Sequence, residues 1–184
     1  MKAKLLIATI VAAAFVSVGA MAAMMPPFGS GDDVSYAKSL WQKMEAKGLN
    51  STPANLYMGG PPHGKVREVL EATIDGKRVI VKRNYRGKDL TVAKVAANRA
   101  KYLASVTVMQ KRKGFDPEDA DWFWVKYAPD GTIMKNKKKM SLAGKVAKGK
   151  PIGCIACHAG APGGNFVFRD SGNTSGLGAT VFVK

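Results

Sequence analysis

Val66-Arg67-Glu68-Val69-Leu70-Glu71-Ala72-Thr73-Ile74-Asp75-Gly76-Lys77-Arg78-Val79-Ile80-Val81-Lys82-Arg83-Asn84-Tyr85 decides the reading of the fold. Two strand-like runs, 66–74 and 77–85, flank Asp75-Gly76, a dipeptide that tolerates the positive backbone angles of a tight turn, so the stretch predicts a β-hairpin. Further along, Val106 to Lys111 and Trp122 to Tyr127 have the same strand character, with Phe115-Asp116-Pro117 in the loop between them. Pro129-Asp130-Gly131 then turns the chain back towards Thr132 to Met134. Before the hairpin, Val34, Ala37, Leu40, Trp41 and Met44 recur at helical spacing, with Asp32 or Asp33 as cap and Gly48 as stop. That face reads as core, not as a cofactor box. Thr91 to Leu103 is Ala-rich and leans towards helix. The fold class is α+β, a predominantly antiparallel β-sheet with a few helices.

The ends of the 184-residue chain read differently. Lys2 and Lys4 precede the apolar run Leu5 to Val18, and Gly19-Ala20-Met21-Ala22-Ala23 offers small residues for cleavage, which is the plan of a secretory signal over 1–23. An uncleaved anchor is the competing reading, although the run is short and Ala-rich for a spanning helix. Residues 24–31, with Pro26-Pro27, read as a flexible lead-in, and 32–184 as a single domain. After cleavage about 160 residues remain, enough for a real core. Ser171 to Ala179 is Gly-rich and leads to the apolar end Val181-Phe182-Val183.

Near that end stands Cys154-Ile155-Ala156-Cys157-His158. Cys-x-x-Cys-His is the spacing of haem c attachment: two thiols on adjacent turns add across the porphyrin vinyl groups, and the next residue lies beneath the iron as proximal ligand. The motif therefore predicts one covalent haem c near the C-terminus, held by Cys154 and Cys157, with His158 on the metal. Three other chemistries use parts of the pattern. A thioredoxin-like dithiol wants a strand-to-helix setting, whereas Gly153 and the Lys-rich run before it suggest a loop. A structural disulfide suits an oxidising compartment. Zinc would have to recruit His63, the other of the two histidines, and bind adjacent Cys157 and His158 on one tetrahedral ion. Export to the periplasm fits haem c, because in bacteria haem and thiols are joined outside the cytoplasmic membrane.

Charge is the second strong feature. There are 29 Lys and Arg against 13 Asp and Glu, and loss of Lys2 and Lys4 changes the formal charge from +16 to +14. From Gly131 to Arg169 there is no acid, while Lys135, Lys137, Lys138, Lys139, Lys145, Lys148, Lys150 and Arg169 are present. An acidic redox partner would be steered to this segment; a merely solvated surface, or attraction to anionic headgroups, is the competing reading. Nucleic acid is not expected as a partner, since the aromatics lie in strand patterns and are not interleaved with the basic run.

Asp75 to Tyr85, Val106-Thr107-Val108-Met109-Gln110-Lys111, Asp121-Trp122-Phe123-Trp124, and Cys154 to His158 followed by Asn165-Phe166-Val167-Phe168 together resemble the cytochrome P-460 family. The likeness covers roughly Pro62 to Phe168. It implies a mainly β fold, commonly a homodimer, with one haem c, His158 below the iron and an open or weakly occupied position above. The family includes hydroxylamine-oxidising enzymes and cytochromes c prime-beta, which bind nitric oxide and other small gases. In the enzymes a strand lysine is bonded to the porphyrin edge, and Lys82 lies at the matching position. Such bonding needs a neutral amine, which burial favours. An ordinary strand lysine is the alternative, because alternation puts Lys82 on the face of Ile80 without saying what that face meets. The enzymes also use a distal carboxylate, whereas Val106 to Lys111 offers Thr107 and no acid. Asn165 stands where the family often has Asp.

For the sixth ligand the sequence offers Met109, Met134, Met140 and His63. Trp122, Phe123, Trp124 and Tyr127 are expected to form the apolar wall beside the haem. The preferred reading is an exported mono-haem protein in one-electron transfer or nitric oxide binding. The alternative is an oxidoreductase acting on hydroxylamine or nitric oxide, which requires the Lys82 bond and a distal base. An exported zinc or disulfide-stapled binding module is a third class.

Overall fold

The computed structural model of the chain describes residues 27–171 and 181–184. The expected signal segment 1–23, the first three residues of the lead-in and all but the first residue of the Gly-rich tail lie outside the described residues. The elements are α1 (Gly31–Ala46), β1 (Tyr57–Met58), β2 (Val66–Ile74), β3 (Lys77–Tyr85), α2 (Val92–Ala97), α3 (Arg99–Tyr102), β4 (Leu103–Lys111), β5 (Trp122–Tyr127), β6 (Ala143–Gly144), α4 (Cys154–His158) and β7 (Val181–Val183). The strands form one sheet in the order β1-β2-β3-β4-β5-β6, every neighbouring pair antiparallel, and β7 adds in parallel beside β2. The α+β, mostly antiparallel architecture is as the sequence predicts.

The hairpin forms at the anticipated turn, Ile74 pairing with Lys77 around Asp75 and Gly76, both at positive φ. Helix α1 starts earlier than the acidic pair suggested. Ser30 is the cap: its hydroxyl accepts from the Asp33 N–H at 3.1 Å, and the Asp33 carboxylate accepts from the Ser30 N–H at 3.2 Å, a reciprocal capping box. The lead-in expected over 24–31 is correspondingly shorter, since Phe28 is buried and the Gly29 N–H donates to Ala143 at 2.8 Å.

Alternation along the strands divides the core in two. One face carries Leu70, Val81, Val108, Val125 and Phe123 and packs under Ala37, Leu40 and Met44 of α1. The Tyr127 hydroxyl donates to the Ala37 carbonyl at 2.7 Å and locks the helix to the sheet. The opposite face carries Val69, Ile80, Met109, Trp122 and Trp124 and packs against Ile155, Phe166 and Val167 from the segment around α4. Thr91 to Leu103 resolves into two short helices capped by Thr91 and Asn98. A fully buried carboxylate, Glu68, accepts from the Ala54 N–H at 2.9 Å and from the Tyr85 hydroxyl, and pairs with Arg83 at 2.9 Å and Arg99 at 3.4 Å. No described helix is long and apolar enough to cross a membrane.

Candidate functional site

Antiparallel register places two rows of side chains side by side on the second face. Val69 pairs with Lys82, Lys82 with Thr107 and Thr107 with Lys126; in the next row Ile80 pairs with Met109 and Met109 with Trp124. These residues form the floor of a cavity of about 610 Å³, roofed by residues 151–154, 156–158 and 167–169, with Pro61, Pro62 and His63 also on its lining. That volume lies within the range of roughly 300–1,000 Å³ typical of small-molecule and cofactor sites. Cys154, Cys157 and His158 all line it, as does Lys82.

The motif sits on a one-turn helix capped by Gly153, whose φ of 156° suits glycine and whose missing side chain leaves room for the Ala147 methyl. The segment that follows is tied back to the sheet at two points. The Trp122 indole N–H donates to the Asn165 carbonyl at 2.8 Å, and Arg78 donates to Asp170 at 2.6 and 2.8 Å while also holding Glu71. The Asn165 side chain bonds both the Val167 N–H and Asp170, so Asn serves here as an anchor.

His158 Nδ1 lies 2.8 Å from the Phe166 carbonyl oxygen. A carbonyl can only accept, so Nδ1 carries the hydrogen and Nε2 keeps its lone pair, the arrangement of a histidine prepared to bind metal. Burial pulls the imidazole down to about 4, against a raising contribution from Phe166, and nearby Lys82 lowers it further. His63 is held down to about 3, again chiefly by burial and then by Lys82 and Arg67. Its ring centre is 6.3 Å from that of His158, with the planes at 88°. Burial, with Arg67 and Arg169 nearby, brings Lys82 down to about 8, and burial pushes the Cys154 thiol up.

The residues fit a haem c. Two thiols, a histidine with a free Nε2 and apolar walls meet on one cavity, and Lys82, Lys126 and Arg169 on its lining suit the carboxylate edge of such a group. The competing patterns fit less well. Both cysteines are free thiols; no three His, Cys, Asp or Glu side chains among the described residues converge on a metal position; and the loop 145–153 separates α4 from β6, the strand before it.

Several expectations change. Of the four aromatics proposed as the wall, Trp122 and Trp124 are on the cavity side, Trp124 with its ring 4.9 Å from that of His158. Phe123 and Tyr127 belong to the other core, beneath α1, because strand alternation sends neighbours to opposite faces. Met109 lines the cavity, whereas Met134 and Met140 do not. The basic segment is also less uniform in space than in sequence. Lys148 pairs with Asp116, Glu118 at 2.8 Å and Asp119 at 3.3 Å, and Lys145 with Asp116 at 3.3 Å, leaving Lys135, Lys137, Lys138, Lys139 and Lys150 exposed. Phe168, part of the stretch that carries the family resemblance, is an exposed apolar residue on the lining, and so is Ile152, which the sequence did not single out. Comparison with protein-family models, curated proteins and solved structures finds no match to this chain.

Proposed function

We propose that this chain is an exported mono-haem c-type cytochrome that works by one-electron transfer or by binding a small gas such as nitric oxide, as the resemblance to the cytochrome P-460 family implies. The observation that carries the reading is the meeting of Cys154, Cys157 and His158 on one cavity, with Nδ1 of His158 held by Phe166. When bound, haem c supplies a one-electron iron couple and a site for diatomic ligands. The protein's part is to hold the proximal imidazole neutral and in one tautomer, to surround the group with Val69, Ile80, Met109 and Trp124, and to present cations to its carboxylates. The exposed lysines between 135 and 150 suit an acidic redox partner. The test is a reductive titration of the pigmented protein, with nitric oxide added to each form. Uptake of one electron per chain and a shifted spectrum with nitric oxide support the reading, and a colourless chain carrying two unmodified thiols overturns it.

One observation favours the second reading, an oxidoreductase of the P-460 type. Lys82 is on the cavity floor and is held at about 8, so an appreciable fraction of its amine is neutral near physiological pH, as bonding to a porphyrin edge requires. Against it, no Asp or Glu among the described residues lines the cavity, and the enzymatic reaction needs a distal base. A Lys82 bond to the macrocycle would lower the intact mass by two hydrogen atoms and shift the ferrous Soret band strongly to the red. Hydroxylamine turnover together with that mass change would make this reading the correct one.

A further inference from the structure

Resting on the haem reading above, we infer that His63 is the second axial ligand of the iron, so that the position expected to be open is closed by the protein's own imidazole. The chain contains two histidines, and the fold brings both to the lining of one cavity from segments about ninety residues apart. Metal–nitrogen bonds of about 2 Å, with about 1.1 Å from each nitrogen to its ring centre, set imidazoles on opposite sides of one metal ion roughly 6 Å apart, centre to centre. The observed separation is 6.3 Å.

The loop that carries His63 is built to hold it there. The residues on either side are each fixed by an arginine: the Pro62 carbonyl accepts from Arg86 at 2.9 Å, and the Gly64 carbonyl accepts from the Arg67 Nε–H at 2.9 Å. Gly64 packs so closely on β3 that a Cβ there would come within 2.5 Å of the Tyr85 backbone nitrogen and oxygen. Of the other ligand types named from the sequence, only Met109 shares the cavity, and it lies on the floor between Ile80 and Trp124. A neutral imidazole is a stronger ligand to iron than a thioether or water. Closure by His63 favours electron transfer, because a six-coordinate iron changes oxidation state with little rearrangement, and an incoming gas must first displace the imidazole.

The experiment is the ferric absorption and low-temperature electron paramagnetic resonance spectrum of the full chain matured with haem c, with intact mass alongside, for the native sequence and for His63→Ala and His63→Gln. The native protein is expected to be low-spin. Rings near perpendicular, at 88°, are expected to give the strongly anisotropic type of low-spin signal. Both variants should lose that signal and become high-spin, and free imidazole should restore a low-spin spectrum to His63→Ala. A native protein with haem attached but a high-spin ferric iron overturns the sixth-ligand assignment and leaves the haem reading standing. A low-spin spectrum unchanged in both variants does the same, and reduces the His63–His158 relation to edge-to-face packing. A mass without haem overturns both.

Discussion

His158 Nδ1 and the backbone oxygen of Phe166, eight residues on, lie 2.8 Å apart, and that distance links the binding motif to the loop behind it. The contact fixes which imidazole nitrogen carries the hydrogen, and Phe166 is itself buried against Trp124. The orientation of the proximal ligand therefore depends on the packing of the sheet face as well as on the five-residue motif.

Acid should weaken the haem-free chain. His158 is held at about 4 against an ordinary 6.5, so between those values the unfolded chain binds more protons than the folded one and stability is lost as pH falls. His63, held at about 3, extends the loss downward. In a Cys154→Ala, Cys157→Ala background, the urea midpoint should drop between pH 7 and 4.5, and adding His158→Gln should shrink that drop. An undiminished drop in the His158→Gln chain would remove His158 as its source.

Lys82 should behave in the same sense, over a higher pH window. Its ammonium is held at about 8 against an ordinary 10.5, so folding is opposed by the buried charge at neutral pH and favoured as pH rises from 8 to 10.5. In the same haem-free background, Lys82→Met should stabilise the chain at pH 7, and the advantage should shrink by pH 10.5. Equal midpoints for the two chains at pH 7 would show that Lys82 is well solvated.

Gly153→Ala tests the backbone of the motif. The added Cβ would collide with the Ala147 methyl at a φ that L side chains rarely adopt. A loss of about 1–3 kcal/mol in stability is expected, together with a reduced fraction of chains carrying haem by intact mass. Full attachment with unchanged stability would show that the turn can relax.

Glu68 tests the side of the sheet facing away from the cavity, one residue along the strand from Val69 on its floor. Replacing it by Ala leaves Arg83, itself 3% exposed, without its carboxylate and the Ala54 N–H without an acceptor. Breaking a buried pair in this way costs about 3–5 kcal/mol. Thermal unfolding measures the loss, and a change within a few tenths of a kcal/mol would mean that water replaces the carboxylate.

The sequence made the hairpin, the strand Trp122–Tyr127 and the helix legible because their turn residues and periodicities are local. Strand residues were legible, but the use of each face was not. Lys82, Thr107 and Lys126 become neighbours only through the register of β3, β4 and β5, which no local pattern states, and the same register sends Phe123 and Tyr127 away from the cavity. The start of α1 was misplaced because Asp32 and Asp33 are themselves good caps, and the reciprocal bonds of Ser30 and Asp33 prevail. The pairing of Lys145 and Lys148 with Asp116 joins segments about thirty residues apart, so a run without acids looked more basic than it is in space.

Everything proposed for the cavity depends on covalent haem at Cys154 and Cys157. Its most direct test is the intact mass of the chain produced in a host that matures haem c, with the Cys154→Ala, Cys157→Ala chain in parallel and the absorption of each after acid extraction. One haem is expected on the native chain, resistant to extraction, and none on the double variant. A native chain of unmodified mass, or a double variant that keeps its full pigment after extraction, would contradict it.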